Sequence, residues 1–247
     1  MSITTQDELE KLQAVGRIVA GALEAMAREV RPGVTTSELD AVGGRYFAGH
    51  GAQSSPQLVY GFPGVNCISV NDEVVHGIPR DRALHPGDLV KLDVTACKDG
   101  FHADAAVSVT VPPAPRVSAQ LKQCAEEAFR AGLGAARIGN RTRDIGSAVE
   151  REVHRHGFHV VRELGGHGIG RTIHEPPSVP NFAAPNAREI LTDGLVFTIE
   201  PIIAAGTGKV WLDKDGWTVR TADGSLAAHY EHTVVITRGE PVLLTVL

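Results

Sequence analysis

Two aspartates, two glutamates and one histidine stand where an unpartnered charge is costly. Asp93 and Asp104 fall in an alternating run from Val90 to Val109, split by Asp99-Gly100. Asp-Gly between alternating strands is a strong hairpin signal. A two-residue loop there sets Lys98 opposite Phe101 and Thr95 opposite Asp104. One face then carries Leu92, Val94, Ala96, Phe101, Ala103, Ala105, Val107 and Val109, and the other Asp93, Thr95, Cys97, His102, Asp104 and Ser108. Asp93 and Asp104 become diagonal neighbours, which repel unless a proton or cation sits between them. A solvated face is the ordinary alternative in an antiparallel sheet, but aspartate is disfavoured inside strands.

The remaining three come from separate segments. His167 sits among four glycines, Gly165, Gly166, Gly168 and Gly170, with His174 seven residues on. Glycines let backbone approach closely, and they suit a phosphate cradle as well as a confined imidazole. No Lys-Ser or Lys-Thr follows them, so a P-loop is not expected. Glu200 stands near the end of the apolar run Leu195–Pro201. Glu231 stands in Ala228–Ile236, where alternation puts His229, Glu231, Thr233 and Val235 on one face. Each acid alone is more often a satisfied polar residue than a ligand. Taken together, four carboxylates and one imidazole suit two adjacent divalent ions such as Mn, Fe or Co. Zinc fits less well with so many carboxylates. Two ions about 3.5–4 Å apart can share a hydroxide and polarise a carbonyl, which is hydrolase chemistry.

These residues need a scaffold, and its periodicity is legible. Residues 5–29 carry a helical stripe through Leu9, Leu12, Val15, Ile18, Val19, Leu23 and Met26, stopped by Arg31-Pro32-Gly33. A second helix is expected from a cap at Thr36 to Gly51. Period two then runs from Leu58 to Val111, with turns at Asn71-Asp72 and Asp99-Gly100. Beyond Pro113 and Pro115, helices are expected at 117–132 and 142–156, then strands near 158–163, 195–202, 209–212, 217–221 and 226–238. A shift of 106 residues lays Arg31, Gly33, Thr36, Arg45, His50 and Gly51 on Arg137, Gly139, Thr142, Arg151, His156 and Gly157. That reads as a duplicated helix–helix–strands unit, about 5–111 and 117–240, inside one domain spanning 1–247.

Composition narrows the setting. A chain of 247 residues that is 43% apolar can bury a substantial core. Its net charge of −5 excludes a binder that works by neutralising phosphates, so no direct nucleic-acid binding is expected. Three cysteines, Cys67, Cys97 and Cys124, are an odd set without paired spacing, which favours a reducing compartment. The acidic first ten residues lack an apolar core, and no apolar run reaches the roughly 20 residues of a membrane helix. A cytoplasmic protein without membrane contact is the expectation.

The motifs around these residues resemble those of type I methionine aminopeptidases. They are Asn71-Asp-Glu-Val-Val-His-Gly-Ile-Pro79, Lys98-Asp-Gly-Phe-His-Ala-Asp104, Gly166-His-Gly-Ile-Gly-Arg171, Phe197-Thr-Ile-Glu-Pro201 and Tyr230-Glu-His-Thr233. The resemblance covers about residues 5–245. It implies a pita-bread fold: an α/β (α+β) architecture of two pseudo-symmetric halves with a central antiparallel sheet flanked by helices. The implied activity is removal of the initiator methionine from nascent proteins whose second residue is small. An Xaa-Pro aminopeptidase or a non-enzymatic pita-bread binding protein is the alternative. Two divalent ions (Mn, Fe, Co or Zn) are implied, with Asp93 on one, His167 and Glu200 on the other, and Asp104 and Glu231 bridging. Glu200 also becomes the candidate for moving the proton of the attacking water. His76 and His174 match histidines that contact the scissile amide.

The resemblance also implies a methionine pocket of Val59, Phe62, Cys67, Ile173, Ile202, Trp217 and His229. Here the pattern loosens: Val59 and Ile173 stand where aromatics are expected, and His229 where glutamine is common. Pro176 replaces an expected acid after His174-Glu175. The implied partner is the N-terminal peptide of a nascent chain, which is compatible with ribosome association. Nothing in the sequence suggests an obligate oligomer, and a monomer is expected.

Overall fold

The computed structural model describes residues 1–247. The first part of the chain forms α1 (Gln6–Glu29), α2 (Thr36–Gly49), β1 (Gln53–Ser54), α3 (Ser55–Tyr60), β2 (Cys67–Val70) and β3 (Glu73–Val75). Then come β4 (Leu89–Lys98), β5 (Phe101–Thr110), α4 (Arg116–Ala135), α5 (Thr142–Arg155), β6 (His159–Val160), β7 (Gly165–Gly168) and β8 (Glu175–Pro180). The rest is β9 (Val196–Ile199), β10 (Ile202–Ala204), β11 (Val210–Leu212), β12 (Val219–Thr221), β13 (Ala227–His229), β14 (Glu231–Val235) and β15 (Val242–Leu243). No helix is long and apolar enough to cross a membrane.

The helices begin where backbone donors find side-chain acceptors. The Glu8 backbone N–H donates to the Thr5 hydroxyl, while the Glu8 carboxylate accepts from the Thr5 N–H, closing a capping box on α1. α2 starts the same way on Thr35 and Glu38, so the cap is Thr35 rather than the expected Thr36. Its end falls at Gly49, two residues before the expected Gly51. α3 was not anticipated inside the period-two run. Ser54 caps it, Pro56 preorganises its first turn and Gly61, at φ +70°, ends it.

A nine-stranded antiparallel sheet runs β1-β4-β5-β14-β9-β7-β8, with β2 also on β4 and β15 also on β14. Two three-stranded sheets, β13-β10-β6 and β11-β12-β3, adjoin it. The expected hairpin register holds, with Lys98 opposite Phe101 and Thr95 opposite Asp104. Its apolar face packs beneath α1 and α2, in a core containing Leu12, Val19, Met26, Leu39, Leu92, Val94 and Phe101. A second core lies beneath α4 and α5 and contains Leu121, Phe129, Ile145, Val149, Phe197 and Ile199. The fold is thus the expected α/β architecture, a central antiparallel sheet with a helix pair over each half.

Three strand expectations need correction. The run 195–202 is not one strand: it ends at Ile199 and resumes at Ile202 in another sheet. The run 226–238 breaks likewise at Tyr230, between β13 and β14. β7 and β8 lie in segments whose glycines and prolines argue against strands. They survive there because β8 is an edge strand, and because Gly166 and Gly168 pack against backbone: a Cβ on either would meet a carbonyl oxygen at 2.3 or 2.2 Å.

Candidate metal centre

The sheet register assembles the site. Asp93 lies opposite both Cys67 on β2 and Ala106 on β5, and Ala106 lies opposite Glu231 on β14. Directly paired residues share a face, as do residues two apart on one strand. Cys67, Asp93, Ala106 and Glu231 therefore form one row across four strands, with Asp104 beside it. Ala106, small and buried, leaves the space between the acids open. Thr233 ties the row together: its hydroxyl donates to the Asp104 carbonyl at 2.8 Å and accepts the Asp104 N–H at 2.9 Å.

The other two donors arrive from strand ends. Glu200 follows the last residue of β9, and Pro201 has no N–H to continue the ladder. The Thr198 hydroxyl, two residues earlier, donates to Glu200 Oε1 at 2.9 Å and accepts the His167 N–H at 3.1 Å. The His167 Nδ1–H donates to the Gly168 carbonyl at 3.0 Å. That bond fixes the tautomer and leaves Nε2, with its lone pair, 3.5 Å from Glu200 Oε1. Donor atoms of Asp104, His167 and Glu231 lie within 4.8 Å of one another, as do those of Glu200, His229 and Glu231.

Electrostatically the cluster is unfinished. Asp104 Oδ1 and Glu231 Oε1 are buried without a hydrogen-bond partner. Burial first, then the neighbouring acids, push the Asp104 carboxyl well above its ordinary range. Glu200 is raised by burial and by Glu231, and Glu231 by burial and Asp93. His167 is held down to about 3 by burial and the adjacent His174, so its imidazole is neutral and free to donate a lone pair. Orphaned carboxylate oxygens facing a neutral imidazole fit a divalent cation.

These groups line a cavity of about 760 Å³. His76 and His174 are exposed at its mouth, and Phe62, Cys67, Ile173, Ile202, Trp217 and His229 form further wall. Phe62 and Trp217 meet edge to face, with ring centres 5.2 Å apart. His76 is presented from a left-handed backbone (φ +57°), a conformation costly for a non-glycine residue. Val59 on α3 does not line the cavity, whereas the next residue, Tyr60, does, though both are about half exposed. The Tyr60 hydroxyl shares a 2.6 Å hydrogen bond with His174 Nδ1. Sequence reasoning missed Tyr60 by one position. It also missed Thr198, which the alternation about Glu200 could have found.

The Metallopeptidase family M24 model matches residues 10–238. The chain is 44% identical to methionine aminopeptidase 2 of Bacillus subtilis, covering 100% of both chains. It is 41% identical to a methionine aminopeptidase of Clostridium perfringens, covering 99% of this chain and 98% of that one. The crystal structure of methionine aminopeptidase from Rickettsia prowazekii superposes with a TM-score of 0.95 at 36% identity, covering 100% of both.

Proposed function

We infer that this chain, which belongs to metallopeptidase family M24, is a metal-dependent hydrolase that removes N-terminal methionine from peptides. One observation carries the reading: Asp104, His167, Glu200 and Glu231 converge in one cavity with two buried carboxylate oxygens unpartnered. Asp93, Asp104, Glu200 and Glu231 together carry four negative charges when ionised, which two divalent ions balance. In this reading Asp93 would serve one ion, His167 and Glu200 the other, and Asp104 and Glu231 would be shared; Mn, Fe, Co or Zn would all suit the set. Bound divalent ions supply Lewis acidity and a lowered water pKa.

The chain's own residues do the rest. Glu200, held by Thr198, takes the proton of the attacking water and passes it toward the leaving amine. His76 and His174 hydrogen-bond the scissile amide from the cavity mouth, with Tyr60 orienting His174. Phe62, Cys67, Ile173, Ile202, Trp217 and His229 enclose the terminal side chain. The acids recognise the free α-amine, which restricts cleavage to the first residue. All of residues 1–247 act as one catalytic unit, because Asp93 and Asp104 come from one half and His167, Glu200 and Glu231 from the other. The substrates are nascent chains with a small second residue, met in the cytoplasm or at the ribosome, and the enzyme works as a monomer. The Xaa-Pro and non-enzymatic alternatives are not favoured, since full-length relatives carry the methionine-removing name.

The test is hydrolysis of Met-Ala-Ser and Leu-Ala-Ser by metal-stripped protein, before and after Mn²⁺ or Co²⁺ is added. Metal-dependent release of methionine, with leucine much slower, is expected. Equal release of leucine would make Ile173 and His229 marks of broadened specificity. No release despite bound metal would overturn the enzymatic reading.

A further inference from the structure

A place in the pocket wall does not account for the surroundings of His229. Its imidazole is 2% exposed, and neither ring nitrogen has a hydrogen-bond partner. Nε2 lies 3.4 Å from Glu231 Oε2 and 3.7 Å from Glu200 Oε2. Two donor atoms each about 2.0–2.2 Å from one ion stand roughly 3–3.6 Å apart, depending on the coordination angle. The His229–Glu231 separation falls in that range, as does the His167–Glu200 separation of 3.5 Å, and His229–Glu200 lies just beyond it.

The backbone holds the ring in place. The His229 N–H donates to the Ser108 hydroxyl at 3.0 Å, and that hydroxyl donates to the His229 carbonyl at 2.9 Å. His229 also pairs with Ile202 across β13 and β10, at the point where the chain leaves one sheet for another. A side chain lining a hydrophobic pocket has no need of two orphaned nitrogens beside two buried carboxylates.

We propose that His229 is a further metal ligand, acting with Glu200 and Glu231 and giving the ion held by His167, Glu200, Asp104 and Glu231 a second imidazole. The proposal rests on the metalloaminopeptidase reading and deepens it. A second imidazole beside the carboxylates moves the site's preference from Mn²⁺ toward Co²⁺, Fe²⁺ and Zn²⁺. Glutamine, expected at this position from the family resemblance, offers a harder amide oxygen and would not produce that shift.

The full chain, stripped of metal, is titrated with CoCl2 and followed by proton NMR in H2O. Two hyperfine-shifted imidazole N–H signals that vanish in D2O are expected, one each from His167 and His229. His229→Gln should keep one, and equilibrium dialysis should show its cobalt affinity lowered by about 10–100-fold or more. A single such signal in the wild type overturns the proposal, and this readout needs no variant to fold. An unchanged affinity in folded His229→Gln overturns it too. One signal with normal methionine release from Met-Ala-Ser removes the His229 assignment and leaves the enzyme reading standing. Wild type that binds no cobalt and releases no methionine removes both.

Discussion

The two halves deliver their acids to the site in different ways. Asp93 and Asp104 sit inside unbroken ten-residue strands, β4 and β5, whose ladder fixes where each Cβ points. Glu200 and Glu231 sit where strands break, at the end of β9 and the start of β14, as the chain passes between sheets. The short side chain is used where the backbone runs directly beneath the cavity. The longer one is used where the backbone has turned away, and at the break after β9 the Thr198 hydroxyl supplies part of the lost constraint on Glu200. A continuous ladder aims Asp93 and Asp104 through its register, whereas at the break after β9 a side-chain hydrogen bond aims Glu200.

The sharpest way to break that comparison is to remove one acid from each half. If Asp104 is shared between two ions as proposed, Asp104→Ala is expected to lower metal affinity and turnover by at least about 100-fold, beyond the 10–100-fold typical of outer partners. Glu231→Ala should match it, because the two acids face the same space. Peptide turnover and metal content by atomic absorption check both. Near-normal turnover in either variant would mean that its half only frames the site. Next in size, His76→Ala should lower kcat about 10²–10³-fold, as for loss of one oxyanion donor, with metal content unchanged. Loss of metal in that variant would make His76 a ligand.

Metal removal tests the halves together. In the metal-free protein, Asp104, Glu200 and Glu231 have carboxyls raised above their ordinary values, chiefly by burial. The folded state then binds more protons than the unfolded one above the ordinary carboxylate range. Stability therefore falls as pH rises through that window. Bound metal replaces those protons and binds more tightly as pH rises. His167, already neutral because its pKa is near 3, gives up no proton to the metal near neutrality. Calorimetry should show Mn²⁺ at a hundredfold over its Kd adding about 2.7 kcal/mol, or roughly 5–10 °C in Tm. With Mn²⁺ held at one fixed concentration rather than at a fixed multiple of Kd, that gap should widen from about pH 5 to pH 7.5. A gap that does not change with pH would mean that the acids are already ionised without metal.

Legibility followed the same division. The hairpin could be read to the residue, because Asp99-Gly100 sets the register and alternation then places Asp93 and Asp104 on one face. What alternation could not reveal is that this polar face is buried, since burial depends on β2 and β14 arriving from distant sequence. The broken strands misled the reading: periodicity runs through Glu200-Pro201 and through Tyr230 although the chain changes sheets there. The acids were still identifiable by type and by their cost in apolar runs. The pocket was the least legible part, because which of Val59 and Tyr60 lines the cavity depends on α3, a six-residue helix marked by Ser54 and Pro56 but hidden in a period-two stretch.

Tyr60 supplies the smallest effect and the finest test. Its hydroxyl bonds His174 Nδ1 at 2.6 Å, across two segments far apart in sequence. The bond fixes the ring orientation and leaves Nε2 as the nitrogen available to substrate. Tyr60→Phe keeps the aromatic wall and removes only that hydrogen bond, worth about 1 kcal/mol, so kcat should fall roughly 2–10-fold. His174 makes contacts that strengthen as the scissile carbonyl becomes tetrahedral, so the loss belongs in kcat with KM for Met-Ala-Ser little changed. Val59→Ala, at the exposed position beside it, should leave both constants unchanged. A KM effect in Tyr60→Phe with kcat intact would make Tyr60 a wall of the methionine pocket instead. Side-chain hydrogen-bond positioning would then be confined to the break after β9, where Thr198 acts on Glu200.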